Sequence, residues 1–184
     1  MAHVGAFPQV QRYITTHNDE GKAIFSTALP EESTMKELPD NMAFALSYTT
    51  ATGFPISLAE DKDIEIYSSY LNSPPGLNIS NGSVLRHVDL APDTTCAMHR
   101  TVSLDYGVVL EGEMELILDS GERKTLKRGD VAVQRGTMHA WRNPSKTQWS
   151  RMMFVLLPCQ PVEVGGRKLK EEFEGQMRGV RSSD

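Results

Sequence analysis

Between Ser83 and Pro158, apolar and polar residues alternate in short runs that recur about every ten residues, with glycine or aspartate between them. Alternation with a period of two turns one face of a strand toward a core and the other toward water. Evenly spaced short strands are the rhythm of a barrel or sandwich. The pattern predicts strands at Val84 to Leu90, Tyr106 to Leu110, Met114 to Leu118, Lys124 to Lys127, Val131 to Val133, His139 to Arg142 and Met152 to Leu157. The last run does not alternate, so it reads as a strand covered on both faces, deep in the core. Asp119-Ser-Gly121-Glu122 and Lys127-Arg-Gly129-Asp130 read as hairpin turns, where glycine accepts positive φ at no steric cost.

Upstream the pattern is looser. Tyr13 to Thr16 and Ala23 to Ser26 predict a hairpin around the turn-prone His17-Asn-Asp-Glu-Gly21, and Thr27 to Asn41, with Pro30 and Pro39, reads as irregular. Ala43 to Thr50 predicts a strand, with helix as the rival because of its alanines. From Thr52 to Gly82 the chain reads as a loop-rich excursion, a lid or a dimer arm, holding one short strand near Ile64-Glu-Ile-Tyr67. Downstream, Leu169, Phe173 and Met177 recur every four residues within Gly166 to Met177, which predicts a C-terminal amphipathic helix docked on the barrel. Residues 1–83 then form N-terminal strands and an arm, 84–158 the core, and 159–184 the helix and tail of one globular domain.

The 184 residues suit one such domain, and 39% hydrophobic with 23% charged residues is an ordinary globular balance. A net charge of -5 without a basic stripe offers phosphate backbones little, so a small-molecule substrate is expected and nucleic acid is not. No segment is long and apolar enough to span a membrane, and the start Met1-Ala-His-Val-Gly-Ala-Phe-Pro-Gln9 lacks the pattern of a secretory leader. Cys96 and Cys159 make no disulfide framework, so the expected setting is reducing and cytoplasmic.

Candidate chemistry centres on His99 and His139, two of only five histidines, each in a glycine-punctuated strand run. The first run places His99, Thr101, Asp105 and Gly112; the second places Gly129, Gln134-Arg135-Gly136, His139 and Asn143. In this order the chain resembles the two motifs of a cupin, in particular the small single-domain cupins of fungal genomes and biosynthetic clusters. That resemblance covers residues 84–157 and implies an all-β, RmlC-like jelly-roll barrel, often a homodimer built by exchanging N-terminal strands.

Family cupins hold a metal with three histidines and one glutamate, and here Thr101 and Asp105 stand at two of those positions. What the resemblance leaves is His99, His139 and Asp105, a two-histidine, one-carboxylate face suited to iron, and acceptable to zinc or manganese. Asp105, one methylene shorter than glutamate, has three readings: a ligand, an acceptor orienting a histidine, or a turn residue. As a non-ligand it becomes the first candidate proton-transfer base beside His139, with Tyr106 a weaker partner.

Trp141 and Asn143 share the strand parity of His139 and are expected to line the cavity with Thr101. Arg135, where many cupins carry proline, is placed to grip a carboxylate or phenolate, with a surface ion pair to Asp130 or Glu122 as the alternative. Arg100 and Arg142 should point away. Arg86 and His87 must face opposite sides of one strand, in an order the pattern leaves open. Cys96, three residues before His99, has no second ligand pair to make a zinc site, and His3 and His17 fall in a tail and a turn. The implied menu runs from dioxygenase or other oxidoreductase, the favoured class, to decarboxylase, dehydratase or isomerase, with a non-catalytic binding cupin as a further class.

Overall fold

The structure, a computed structural model, describes residues 7–175 and 177–183. Its elements in chain order are β1 (Val10–Gln11), β2 (Thr15–His17), β3 (Ala23–Phe25), β4 (Glu32–Ser33), β5 (Lys36–Leu38), β6 (Met42–Thr50) and helix α1 (Lys62–Asn72). The barrel proper follows, with β7 (Ser83–Leu90), β8 (His99–Arg100), β9 (Ser103–Glu111), β10 (Glu113–Leu118), β11 (Arg123–Lys127), β12 (Val131–Arg135), β13 (His139–Arg142) and β14 (Ser150–Pro158). Short strands β15 (Glu163–Val164), β16 (Arg167–Lys168) and β17 (Glu172–Phe173) end it. Among the described residues, no helix is long and apolar enough to cross a membrane.

Two antiparallel sheets enclose the core, one ordered β12-β9-β14-β7-β6-β5 and the other β11-β10-β13-β8-β17. This is the jelly-roll barrel that the strand rhythm implies. Trp141 of one sheet meets Phe154 of the other edge to face, with ring centroids 5.7 Å apart. Gly107 makes room for that ring, since a Cβ there would stand 2.7 Å from Phe154 Cε1. β14 lies between β7 and β9 with Met152, Phe154 and Leu156 buried, but its outward residues Met153, Val155 and Leu157 are only half-covered, so the run expected to be covered on both faces is fully covered on one.

Both N-terminal expectations of strand hold. β2 pairs with β3, and β6 joins the six-stranded sheet beside β7. The turn at Lys127–Asp130 forms with Gly129 at φ 89°, but it joins no hairpin: β11 pairs with β10, while β12 crosses to the other sheet and pairs with β9. Residues 62–72, read as loop with a short strand, are helix α1. Ile64 and Tyr67, three apart, are both buried, and Asp63 and Glu65 suit the positive end of the helix dipole.

The C-terminal helix is corrected to an extended strap. Within the expected helix Gly166 and Gly175 adopt positive φ, and glycine costs a helix about 1 kcal/mol relative to alanine. β17 instead completes the edge of the five-stranded sheet, pairing Phe173 with His99, and Met177 buries against the core. His3 and Gln176 lie outside the described residues.

Candidate functional site

The two motif histidines meet because β13 and β8 are antiparallel neighbours in which His139 is the direct register partner of His99. Their rings lie 4.3 Å apart, tilted by 51°, and Phe173 stacks on His99 from the strap at 6.0 Å. His99 Nδ1 donates to the Ala97 carbonyl at 2.8 Å, and His139 Nδ1 to the Thr137 carbonyl at 2.9 Å. That pinning fixes the tautomer and leaves each Nε2 as the lone-pair nitrogen. Burial holds both imidazoles neutral; for His139, burial together with the neighbouring His99 brings the pKa down to about 3.

Asp105 sits on the opposite sheet, in β9, and its carboxylate is engaged by hydroxyls. Ser103 Oγ donates to Oδ1 at 2.5 Å and Thr101 Oγ1 to Oδ2 at 3.3 Å, with the two hydroxyl oxygens 2.7 Å apart. Burial pushes the Asp105 pKa up to about 6, outweighing these hydrogen bonds and the nearby Arg86 guanidinium, all of which lower it. Removal of a carboxylate from water disfavours its charged form more than two weak donors restore it.

The two imidazoles suit a transition metal in both donor type and tautomer. The three-ligand set does not assemble: Asp105 stands on the other sheet, hydrogen-bonded to Ser103 and Thr101. Among the described residues, no group of three or more histidine, cysteine, aspartate or glutamate side chains is placed to hold a metal ion.

His99, Thr101, Asp105, His139 and Trp141 all line one internal cavity of about 60 Å³, room for roughly four waters. Its remaining walls are largely apolar, among them Met42, Val88, Leu90, Met114 and Phe154, with Met177 of the strap at one side. Cys96 also reaches the lining, but its thiol accepts the Trp141 backbone N–H at 3.1 Å, and burial raises its pKa to about 11, far from a thiolate ligand.

Two expected site residues lie elsewhere. Arg135 is exposed, because alternation along β12 sends Gln134, not Arg135, into the cavity. Asn143 is fully buried yet outside the lining; its Nδ2 donates to the carbonyls of Leu90, Ala91 and Gln148, tying β7 to the loop before β14. Arg100 and Arg142 point away as expected, toward Glu172 and toward Asp93 and Glu115.

Sequence reasoning missed Gln134 and left Arg86 unplaced. Arg86 faces the cavity, and His87 faces out to hydrogen-bond Ser47 at 2.7 Å. The signal for Gln134 was the same alternation, masked because Val131 and Val133 put the apolar residues of β12 on the exposed side.

The cupin domain model matches residues 86–156. The chain is 50% identical over 158 residues to phomopsin biosynthesis cluster protein C' of Diaporthe leptostromiformis, covering 86% of this chain and 83% of that one. It is 46% identical over 167 residues to oryzines biosynthesis cluster protein J of Aspergillus oryzae, covering 91% and 93%. It is also 39% identical over 183 residues to the cupin-domain-containing oxidoreductase fogC of Aspergillus ruber, covering 94% and 88%.

Proposed function

The chain belongs to the cupin family, alongside fungal proteins of secondary-metabolite clusters, and from that premise we propose that it is a small-molecule enzyme whose barrel cavity is the reaction chamber and whose Asp105 moves the proton. The observation that carries the reading is Asp105 itself: buried at the cavity wall, hydrogen-bonded among the described residues to Ser103 and Thr101 alone, with burial pushing its pKa up to about 6. A carboxyl poised there exists in both forms near neutral pH, which is the condition for general acid–base work. As the carboxylate it takes a proton from a carbon next to a substrate carbonyl. As the acid it returns that proton at another carbon, an isomerisation, or to a departing oxygen, an elimination. Ser103 and Thr101 hold its two oxygens in place, and the apolar wall keeps water from competing for the proton.

A second reading is an oxidoreductase with a metal at His99 and His139, favoured by their shared Nδ1 pinning and by the likeness to the cupin-domain-containing oxidoreductase fogC. In that case His99 and His139 would hold the ion, which would supply redox chemistry at the cavity.

Turnover of cluster intermediates, followed with an oxygen electrode and by mass spectrometry, separates the two. Proton transfer predicts that Asp105→Asn lowers kcat by at least about 100-fold, the range of a lost general base, with no oxygen consumed. Oxygen uptake coupled to product, lost on His99→Ala, establishes the second reading instead.

A further inference from the structure

Arg86 is buried at the partition between two spaces. On one side is the inner cavity beside Asp105; on the other is a groove of about 470 Å³, and Arg86 and Phe44 line both. The guanidinium lies over the Phe44 ring at 5.4 Å, and its Nη2 donates to the carbonyls of Gly76 and Leu77. Among the described residues its Nε has no hydrogen-bond partner, and Asp105 acts on it through space as the nearby opposite charge, without a contact. Desolvation brings the Arg86 pKa down to about 10, so the group stays charged at neutral pH without a contacting counter-ion. Gln134, which lines the same cavity, is buried with neither amide atom partnered among the described residues.

Buried charges and amides in folded proteins are paired; a guanidinium and an unpartnered amide that line one cavity are complementary to a planar, two-oxygen anion held between them. The groove beyond Phe44 is walled in large part by apolar side chains, including Pro30, Leu38, Leu71, Pro75 and Val180.

We propose that the ligand of this chamber is an amphipathic carboxylic acid, its carboxylate received by Arg86 and Gln134 and its apolar body running past Phe44 into the outer groove. The inference rests on the cavity being the substrate site and names the substrate class. It assigns to Arg86 the anion-gripping part that the strand pattern gave to Arg135.

The test uses octanoate, octanamide and octanol as probes of equal chain length in isothermal titration of the full-length protein. Octanoate is expected to bind one to one and at least roughly tenfold more tightly than either neutral probe, as befits a charge-assisted contact. Arg86→Met should abolish that preference while leaving octanol affinity within about twofold, and Gln134→Leu should reduce it. Equal affinity for octanoate and octanamide in the wild type overturns the proposal, as does octanoate binding unchanged by Arg86→Met or no saturable octanoate binding. The wild-type comparison stands even if Arg86→Met does not fold.

Asp105→Asn separates this claim from the catalytic one. If that variant keeps the octanoate preference and keeps turnover, the proton-transfer reading fails and the carboxylate site stands. If it loses turnover while the wild type binds octanoate and octanamide alike, the carboxylate site fails alone.

Discussion

Replacing Asp105 by asparagine should stabilise the protein progressively as pH rises, although it removes the proposed catalytic group. The folded chain holds the Asp105 proton more tightly than the unfolded chain, with a pKa of about 6 against 3.8. The stabilising effect of protonation is therefore fully present below about pH 3.8 and is lost as pH rises through about 6. At ~1.36 kcal/mol per pH unit the penalty amounts to about 1 kcal/mol at pH 4.5 and about 3 kcal/mol at pH 8. Asparagine has no such titration, so its advantage over the wild type should grow by about 2 kcal/mol between those values. For a chain of this length that is roughly 4–8 °C in Tm.

The pH-dependent part is the readout, since any fixed cost of the amide cancels between the two pH values. His87 and His139, held down to about 4 and about 3, also make stability pH-dependent, in the opposite sense: each neutral imidazole loses stability as pH falls. They are common to both proteins and drop out of the difference. Thermal denaturation of the two proteins from pH 4.5 to 8, followed by circular dichroism, measures it. Parallel Tm profiles across that range would refute the argument that Asp105 is a desolvated, strained acid.

Two further outcomes test the frame around the site. Arg151 grips Asp89 through Nε and Nη2 at 2.6 and 2.7 Å with both side chains buried, so Asp89→Ala should cost about 3–5 kcal/mol in chemical denaturation, whereas replacing both by an apolar pair should cost far less. Equal losses would mean that the pair itself, and not the stranded guanidinium, dominates. Gly107→Ala drives a methyl into Phe154 and should cost roughly 1–3 kcal/mol and perturb the near-ultraviolet dichroism of Trp141; an unchanged spectrum and stability would remove the packing role given to Gly107.

How much of this was legible before folding depends on the range of the interaction involved. The barrel strands were legible because alternation and turn glycines act over a few residues, and the motif spacing marked His99, Thr101, Asp105 and His139. The strap at 165–183 was misread because a four-residue apolar spacing describes a helix only when the backbone between is helical, and within that stretch Gly166 and Gly175 adopt positive φ while Glu172–Phe173 is strand. Helix α1 was misread for the converse reason, since Ile64-Glu-Ile-Tyr67 alternates locally while burial of Ile64 and Tyr67 follows a three-residue step.

From the chain alone came the fold family, the strand order of the motifs and the grouping of His99 and His139 with Asp105, which lies on β9, the strand after that of His99. Only packing in three dimensions decided what that carboxylate touches and how deeply it is buried. Side-chain parity within a strand is a local property, but which face becomes the interior depends on the sheet laid across it. That choice turned Arg86 and Gln134 inward and Arg135 outward, and placed Asp105 against Ser103 and Thr101 on the wall opposite the histidines. Burial, which no stretch of sequence carries by itself, then raised its pKa and made it a candidate acid–base group.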